Sequence, residues 1–145
     1  METAANSNAE AIKNYFKTID ASKSTEEAGL VWAPGHQMYF PSNAQGVDRE
    51  GHKGMSQMFF TGFPDFNHEI LDTIEAGNKV VLRGVFTGTH TGTFNGIPAT
   101  GKSIRASWID ISEFDNNGKV LNEWVEIDSV GMMQQLGVIP APPAK

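Results

Sequence analysis

The chain contains no cysteine, which excludes disulfides, thiolate nucleophiles and cysteine-built zinc sites. It has no basic block either: 11 Lys and Arg lie scattered among 17 Asp and Glu, for a formal charge of −6. Such a surface has no electrostatic means of capturing nucleic acid or an anionic membrane, so neither is expected as a partner. No apolar run is long enough to span a bilayer, and METAANSNAEAIKNYF lacks the basic start and apolar core of a secretory leader. A cytoplasmic location is the expectation. Histidine pairs at helical ligand spacing are missing too: His36, His52, His68 and His90 stand singly, so no metal is expected.

The chain's 145 residues suit one domain over 1–145, with tails at 1–6 and 139–145. Ser7-Asn8-Ala9-Glu10 is a capping box, and Ile12, Tyr15, Phe16 and Ile19 follow at helical spacing. Ser24 and Glu27 form a second box before EAGLVWA, a short helix that Pro34-Gly35 should end, with HQMYF a brief extended piece after it. Met55, Met58 and Phe59 mark the buried stripe of a third helix between Asp48 and Phe60. From Phe66 the period changes to two. Ile70, Asp72 and Ile74 share parity, and EAGNK turns the chain into VVLRGVFTGTH; SIRASWIDISEF and KVLNEWVEID make a second hairpin about DNNG, where Asn117-Gly118 would supply positive backbone angles. Asp128 or Ser129 caps a last short helix, SVGMMQQL, which Gly137 ends. Helices followed by a four-strand antiparallel meander define an α+β fold, helices gathered on one face of a curved sheet.

GIPATGKS, residues Gly96 to Ser103, fits the phosphate-loop pattern at every fixed position. That pattern binds phosphate only where a strand precedes it and a helix follows, so that backbone N–H groups and the helix N-terminus converge on the anion. Here SIRASWIDISEF is rich in β-branched residues and runs directly into a turn, and too little chain follows for parallel strands with crossover helices. The stretch reads as a glycine- and proline-punctuated strand connection, TGTFNGIPATGK, long enough to act as a flap.

The strands carry polar residues where apolar ones would be cheapest. Ile104, Ala106, Trp108, Asp110, Ser112 and Phe114 share a face, which sets Asp110 among large apolar groups that raise the pKa of an unpaired carboxyl. Alternation on the last strand places Asn122, Trp124, Glu126 and Asp128 opposite Glu123, Val125 and Ile127. Asp110 and Asp128 facing one concavity beside tryptophans would make an acid/base site. Equally, Asp128 could cap the last helix, and Asp110 could pair with Arg83 or Arg105.

FPDF, GTHTGTFNGIPATGK and WIDISEFDNNGKVLNEWVEIDSVGMMQQLG together resemble the SnoaL-like polyketide cyclases, or ester cyclases, of the nuclear transport factor 2-like superfamily. The resemblance runs over nearly the whole chain and implies a cone-shaped barrel: a strongly curved antiparallel sheet wrapped around N-terminal helices, open at one end to a small hydrophobic or aromatic molecule. It implies ring closure by an intramolecular aldol step with no metal or cofactor, and an aspartate general acid/base that matches Asp128. The group's partner histidine has no counterpart, since Trp108 and Asp110 occupy that region. Asp110, Arg83 or His90 would orient or protonate the substrate, and Trp32, Tyr39, Met55, Phe59, Trp108, Trp124 and Glu126 would line the pocket. Two alternatives stay open: an epoxide-hydrolase-like Asp–Arg–Asp site, and a non-catalytic ligand-binding or dimerisation module. An outer sheet face carrying Val125 and Ile127 would be the surface of a homodimer.

Overall fold

The computed structural model describes residues 7–143; the expected tail at 1–6 and the last two residues of the tail at 139–145 lie outside the described residues. Helix α1 spans Asn8–Ser22, its first turn closed by Ser7 Oγ accepting from Glu10 N at 3.1 Å, and it buries Ile12, Tyr15, Phe16 and Ile19 as their spacing requires. Ser24 caps α2, Thr25–Ala28, which passes through one 3-10 turn, Gly29–Val31, into strand β1, Trp32–Phe40. Pro34-Gly35 therefore lies inside a strand and ends no helix. Between the pairings Trp32 with Val120 and Gln37 with Asn122, β1 advances five residues against two, and exposed Pro34-Gly35 sits in that excess. A bulge tolerates proline because its missing N–H is not needed there.

A short edge strand that the sequence pattern did not suggest, β2 (Asn43–Val47), leads to α3, Arg49–Gly62, capped by Asp48 on Gly51 N at 2.9 Å. The meander follows as expected: β3 (Asn67–Ala76), β4 (Lys79–Thr89), β5 (Ser103–Phe114) and β6 (Val120–Ile127), closed by helix α4 (Ser129–Gln135). Six strands form one open, curved sheet in the order β2-β1-β6-β5-β4-β3, with β1 parallel to β6 and every other pair antiparallel. The fold is thus the expected α+β cone, with two more strands than the meander.

Two further bulges redirect side chains. On β3 the register slips between Ile70 and Asp72, paired with Gly84 and Arg83, so Ile70 stays half-buried while Asp72 and Ile74 turn to solvent. Between Phe114–Val120 and Glu113–Asn122, Leu121 is the extra residue on β6. Parity therefore inverts along the strand: Val120 and Glu123 are both buried, and Trp124 and Glu126 face out. Of Asn117-Gly118 only Gly118 takes a positive φ, 74°, because Asp115 Oδ1 organises the turn by accepting from Asn117 N at 2.8 Å and Lys119 N at 3.0 Å.

The connection holding GIPATGKS is an ordered excursion. His90 and Lys102 pair at its base (His90 N to Lys102 O, 2.8 Å), and Phe94 and Ile97 pair at its tip about Asn95 (φ 46°) and Gly96 (φ 81°). Lys102 leads into β5 and no helix follows, so the stretch does not form a phosphate loop.

Candidate functional site

The helices and the inner sheet face enclose a cavity of about 460 Å³. Phe16 comes from α1, Met55 and Phe59 from α3, Phe66 from the α3–β3 turn, Trp108 from β5 and Met132 from α4, which makes the walls aromatic and thioether-rich. Met55, Met58 and Phe59, the expected buried stripe, are half-buried because they face this space; Phe60 and His52 are the buried side chains of α3.

Asp110 on β5 and Glu123 on β6 supply the polar part, 1 % and 2 % exposed. Ser112 Oγ donates to Asp110 Oδ1 at 2.7 Å, whereas Asp110 Oδ2 and Glu123 Oε1 find no geometric partner among the described residues. No lysine or arginine pairs with either carboxyl among the described residues. Burial raises both pKa values. Glu123 is pushed up further by the neighbouring Asp110 charge. The two carboxyls therefore titrate as a coupled pair, in which one can hold a proton while the other accepts one. Tyr15, which also lines the cavity, has its hydroxyl held protonated by burial and then by the nearby charges of Glu123, Asp110 and Asp20.

Behind Glu123 lies a histidine chain. His36 Nδ1 is 3.0 Å from the Val120 carbonyl, which only accepts, so that nitrogen carries the hydrogen. Burial lowers the pKa of both His36 and His52, and neutral His36 then accepts at Nε2 from His52 Nδ1, 2.9 Å away. Trp32 stacks on both rings, 4.9 Å from His36 at 6° and 4.0 Å from His52 at 18°. Glu123 lies 4.0 Å from His36 Nε2, and His36, His52 and Glu123 are the described residues whose donors could surround a cation. A cation would have to displace the hydrogen bond that already joins the two rings, so the cluster is read as a hydrogen-bonded buttress.

The expected site residues divide between two faces. Asp110, Met55, Phe59 and Trp108 line the cavity, and Trp32 backs it through the histidines. Tyr39 and Trp124 stack on each other at 5.7 Å and 17°, away from the cavity, with Glu126 beside them in solvent. Val125 and Ile127 line the cavity, contrary to the expected outer patch. Arg83 is exposed and binds Asp72 through Nε at 2.6 Å, and Arg105 reaches Glu69 at 3.5 Å, so no arginine joins Asp110 in an Asp–Arg–Asp arrangement. His90 is fully buried outside the cavity, its Nδ1 held by Thr100 Oγ1 at 3.0 Å and Thr100 N at 3.2 Å. Asp128 is exposed and caps α4 by accepting from Gly131 N at 2.9 Å. Glu123, Tyr15, His52 and His68 were missed. His52 was legible, falling three and seven residues before Met55 and Phe59 on the same helix face; Glu123 was hidden by the Leu121 bulge.

The family model for SnoaL-like polyketide cyclases matches residues 10–136. No curated protein matches. Among solved structures, IdmH of Streptomyces antibioticus, a candidate polyketide cyclase, is 26% identical over 91% of this chain and 99% of its own, with a TM-score of 0.80. A candidate polyketide cyclase of Acidithiobacillus ferrooxidans is 25% identical over 94% and 99%, with a TM-score of 0.78. AclR of Streptomyces galilaeus, a candidate hydroxylase, is 22% identical over 93% and 86%, with a TM-score of 0.79, a likeness of fold alone.

Proposed function

The chain belongs to the SnoaL-like polyketide cyclase family, and on that premise we propose that it binds a planar hydrophobic or aromatic molecule bearing carbonyl groups and closes a ring on it by an intramolecular aldol step. The observation that carries this reading is a pair of buried carboxyls, Asp110 and Glu123, with no lysine or arginine paired to either among the described residues, in the wall of an aromatic cavity. Asp110 takes the proton from a carbon next to a carbonyl, leaving an enolate to which the Tyr15 hydroxyl is a hydrogen-bond donor. The enolate carbon attacks a second carbonyl, a C–C bond forms as the C=O π bond opens, and the resulting alkoxide takes the proton from Glu123. Proton return from Asp110 to Glu123 resets the pair, so no external acid or base is consumed. Asp128, the base that the family resemblance suggests, is occupied as a cap and lies outside the cavity.

A panel of β-dicarbonyl-bearing aromatics, screened by thermal shift for binders, tests the first half; exchange of their α-protons in D₂O, followed by NMR, tests the second. Asp110→Asn is expected to retain binding and to slow exchange by about 10²–10⁴-fold. Wild-type binding with no exchange on any binder would leave a ligand-binding module and sink the enzyme reading. The family match supports one domain over 1–145. The stacked Tyr39–Trp124 pair and exposed Ile109, on the face turned from the cavity, are where a second copy would dock.

A further inference from the structure

We propose that His68 is a second catalytic residue of this cavity, its Nε2 exchanging a proton with an oxygen of the bound molecule, and that Asp20 is its positioning residue. The inference rests on the cavity holding a planar aromatic ligand, as proposed above. Both oxygens of Asp20 are committed to His68: Oδ1 accepts from Nδ1 at 2.8 Å and Oδ2 accepts from the backbone N–H at 2.8 Å. The carboxylate cannot rotate without losing one of them, so the ring is fixed in orientation and in tautomer, with its hydrogen on Nδ1. Asp20 and His68 together line a shallow depression on the outside, but only His68 lines the main cavity. The ring therefore bridges the wall. Nδ1 is taken by Asp20, so Nε2, which has no hydrogen-bond partner among the described residues, is the nitrogen left to address the cavity.

The other histidines show why this arrangement is distinctive. Both nitrogens of His36 are committed to protein atoms, the free nitrogen of His90 is sealed, and His52 leans on another neutral ring. His68 alone has a carboxylate at hydrogen-bond distance behind a nitrogen that reaches the cavity. A carboxylate there stabilises the imidazolium that forms when Nε2 takes up a proton. Phe16, Phe66 and Trp108 surround the ring, with centroids 4.7, 4.9 and 5.3 Å away, which keeps its inward edge among apolar walls. In the register His68 pairs with Phe86 and Phe86 with Ala106, so His68 stands two strands and four residues from Asp110. The two groups address different atoms of one ligand, which selects a fused-ring molecule with oxygens at separated positions. When such an oxygen bears a hydrogen, its O–H bond breaks toward Nε2 and leaves the electron pair on oxygen; the same proton returns to oxygen after ring closure.

The test is long-range ¹H–¹⁵N correlation on the ¹⁵N-labelled full chain, free and saturated with 2-naphthol, a planar aromatic enol. Free protein is expected to show His68 with a hydrogen on Nδ1, shared with Asp20. Naphthol should move the Nε2 resonance toward the protonated range and leave Nδ1 in place. Asp20→Asn should mix the two tautomers and remove most of the response, whereas Asp128→Ala, outside the cavity, should leave it intact. An Nε2–H tautomer in the free protein, an unmoved Nε2 at saturation, or Asp20→Asn spectra like wild type each overturn the proposal while leaving the Asp110–Glu123 reading standing. Failure of 2-naphthol to bind, read by thermal shift, overturns the aromatic-cavity reading and this inference with it.

Discussion

At the scale of single residues, Asp110 was legible because alternation on β5 set it among Ile104, Ala106 and Trp108, and it is buried among them. Glu123 was not, because one extra residue on the neighbouring strand exchanges inside for outside and no local pattern announces it. The pair has a measurable signature. Burial, then the charge of Asp110, holds the Glu123 carboxyl well above its ordinary value of 4.5. Above that value the folded chain keeps a proton that the unfolded chain has released, so this contribution is complete below it and fades as pH rises through the folded pKa, by at most about 1.4 kcal/mol per pH unit. Glutamine carries no titrating proton. Denaturant titrations of Glu123→Gln and wild type should therefore run parallel in acid and diverge on going alkaline, with the variant the more stable; curves that stay parallel to about pH 9 would remove the raised carboxyl. Asp128 gives the opposite contrast. Its substitution by alanine removes a cap, costing about 1 kcal/mol, and should leave affinity for 2-naphthol unchanged. A large loss of affinity would mean that this exposed carboxylate reaches the ligand.

At the scale of elements, helices were read well because α1 and α3 carry both cap and stripe: Ser7 and Asp48 each accept from the N–H three residues on. The four meander strands were found, but β2 and the start of β1 were not, nor was the register, since each bulge depends on what the partner strand presents. Gly84 on β4 shows the constraint directly: a Cβ there would run into the Glu69 carbonyl of β3 and the indole of Trp108. Gly84→Ala must push β3 off the sheet next to His68, and a stability loss of about 1–3 kcal/mol by denaturant is expected, with a smaller loss showing that the strand yields. The 91–102 excursion offers another test, because His90 is its internal strut. The ring stacks on Phe63 at 5.2 Å while Nδ1 holds Thr100. His90→Phe keeps the stacking and strands the Thr100 N–H, so amide exchange in 99–102 should quicken by roughly 5- to 100-fold, equivalent to about 1–3 kcal/mol of lost local protection, while β5 beyond Ile104 is unaffected. Uniform quickening along β5 would instead make His90 part of the global core.

At the scale of the whole molecule, the order of helices and hairpins identified an α+β fold with helices on one face of a curved sheet, and the family resemblance implied the cone, but the parallel joining of β1 to β6 has no local signal, because it is set by packing between segments some 85 residues apart. That joining also decides which surface is left for a partner, by placing Tyr39 against Trp124 on the outside and Val125 and Ile127 within the cavity. Ile109 and Trp124 remain 43 % and 38 % exposed beside one another's strands. A two-fold axis through this patch would bring like surfaces together, apolar against apolar. Sedimentation at micromolar concentration is then expected to give twice the 15.8 kDa of one chain. Each copy carries a formal charge of −6, so association should tighten as added salt screens repulsion beyond about 8 Å at physiological ionic strength. Trp124→Glu should return the mass to one chain while the fold survives, since the side chain is exposed and not a member of the buried core. A wild-type mass of one chain at every salt concentration, or a Trp124→Glu dimer, would move the contact elsewhere or abolish it.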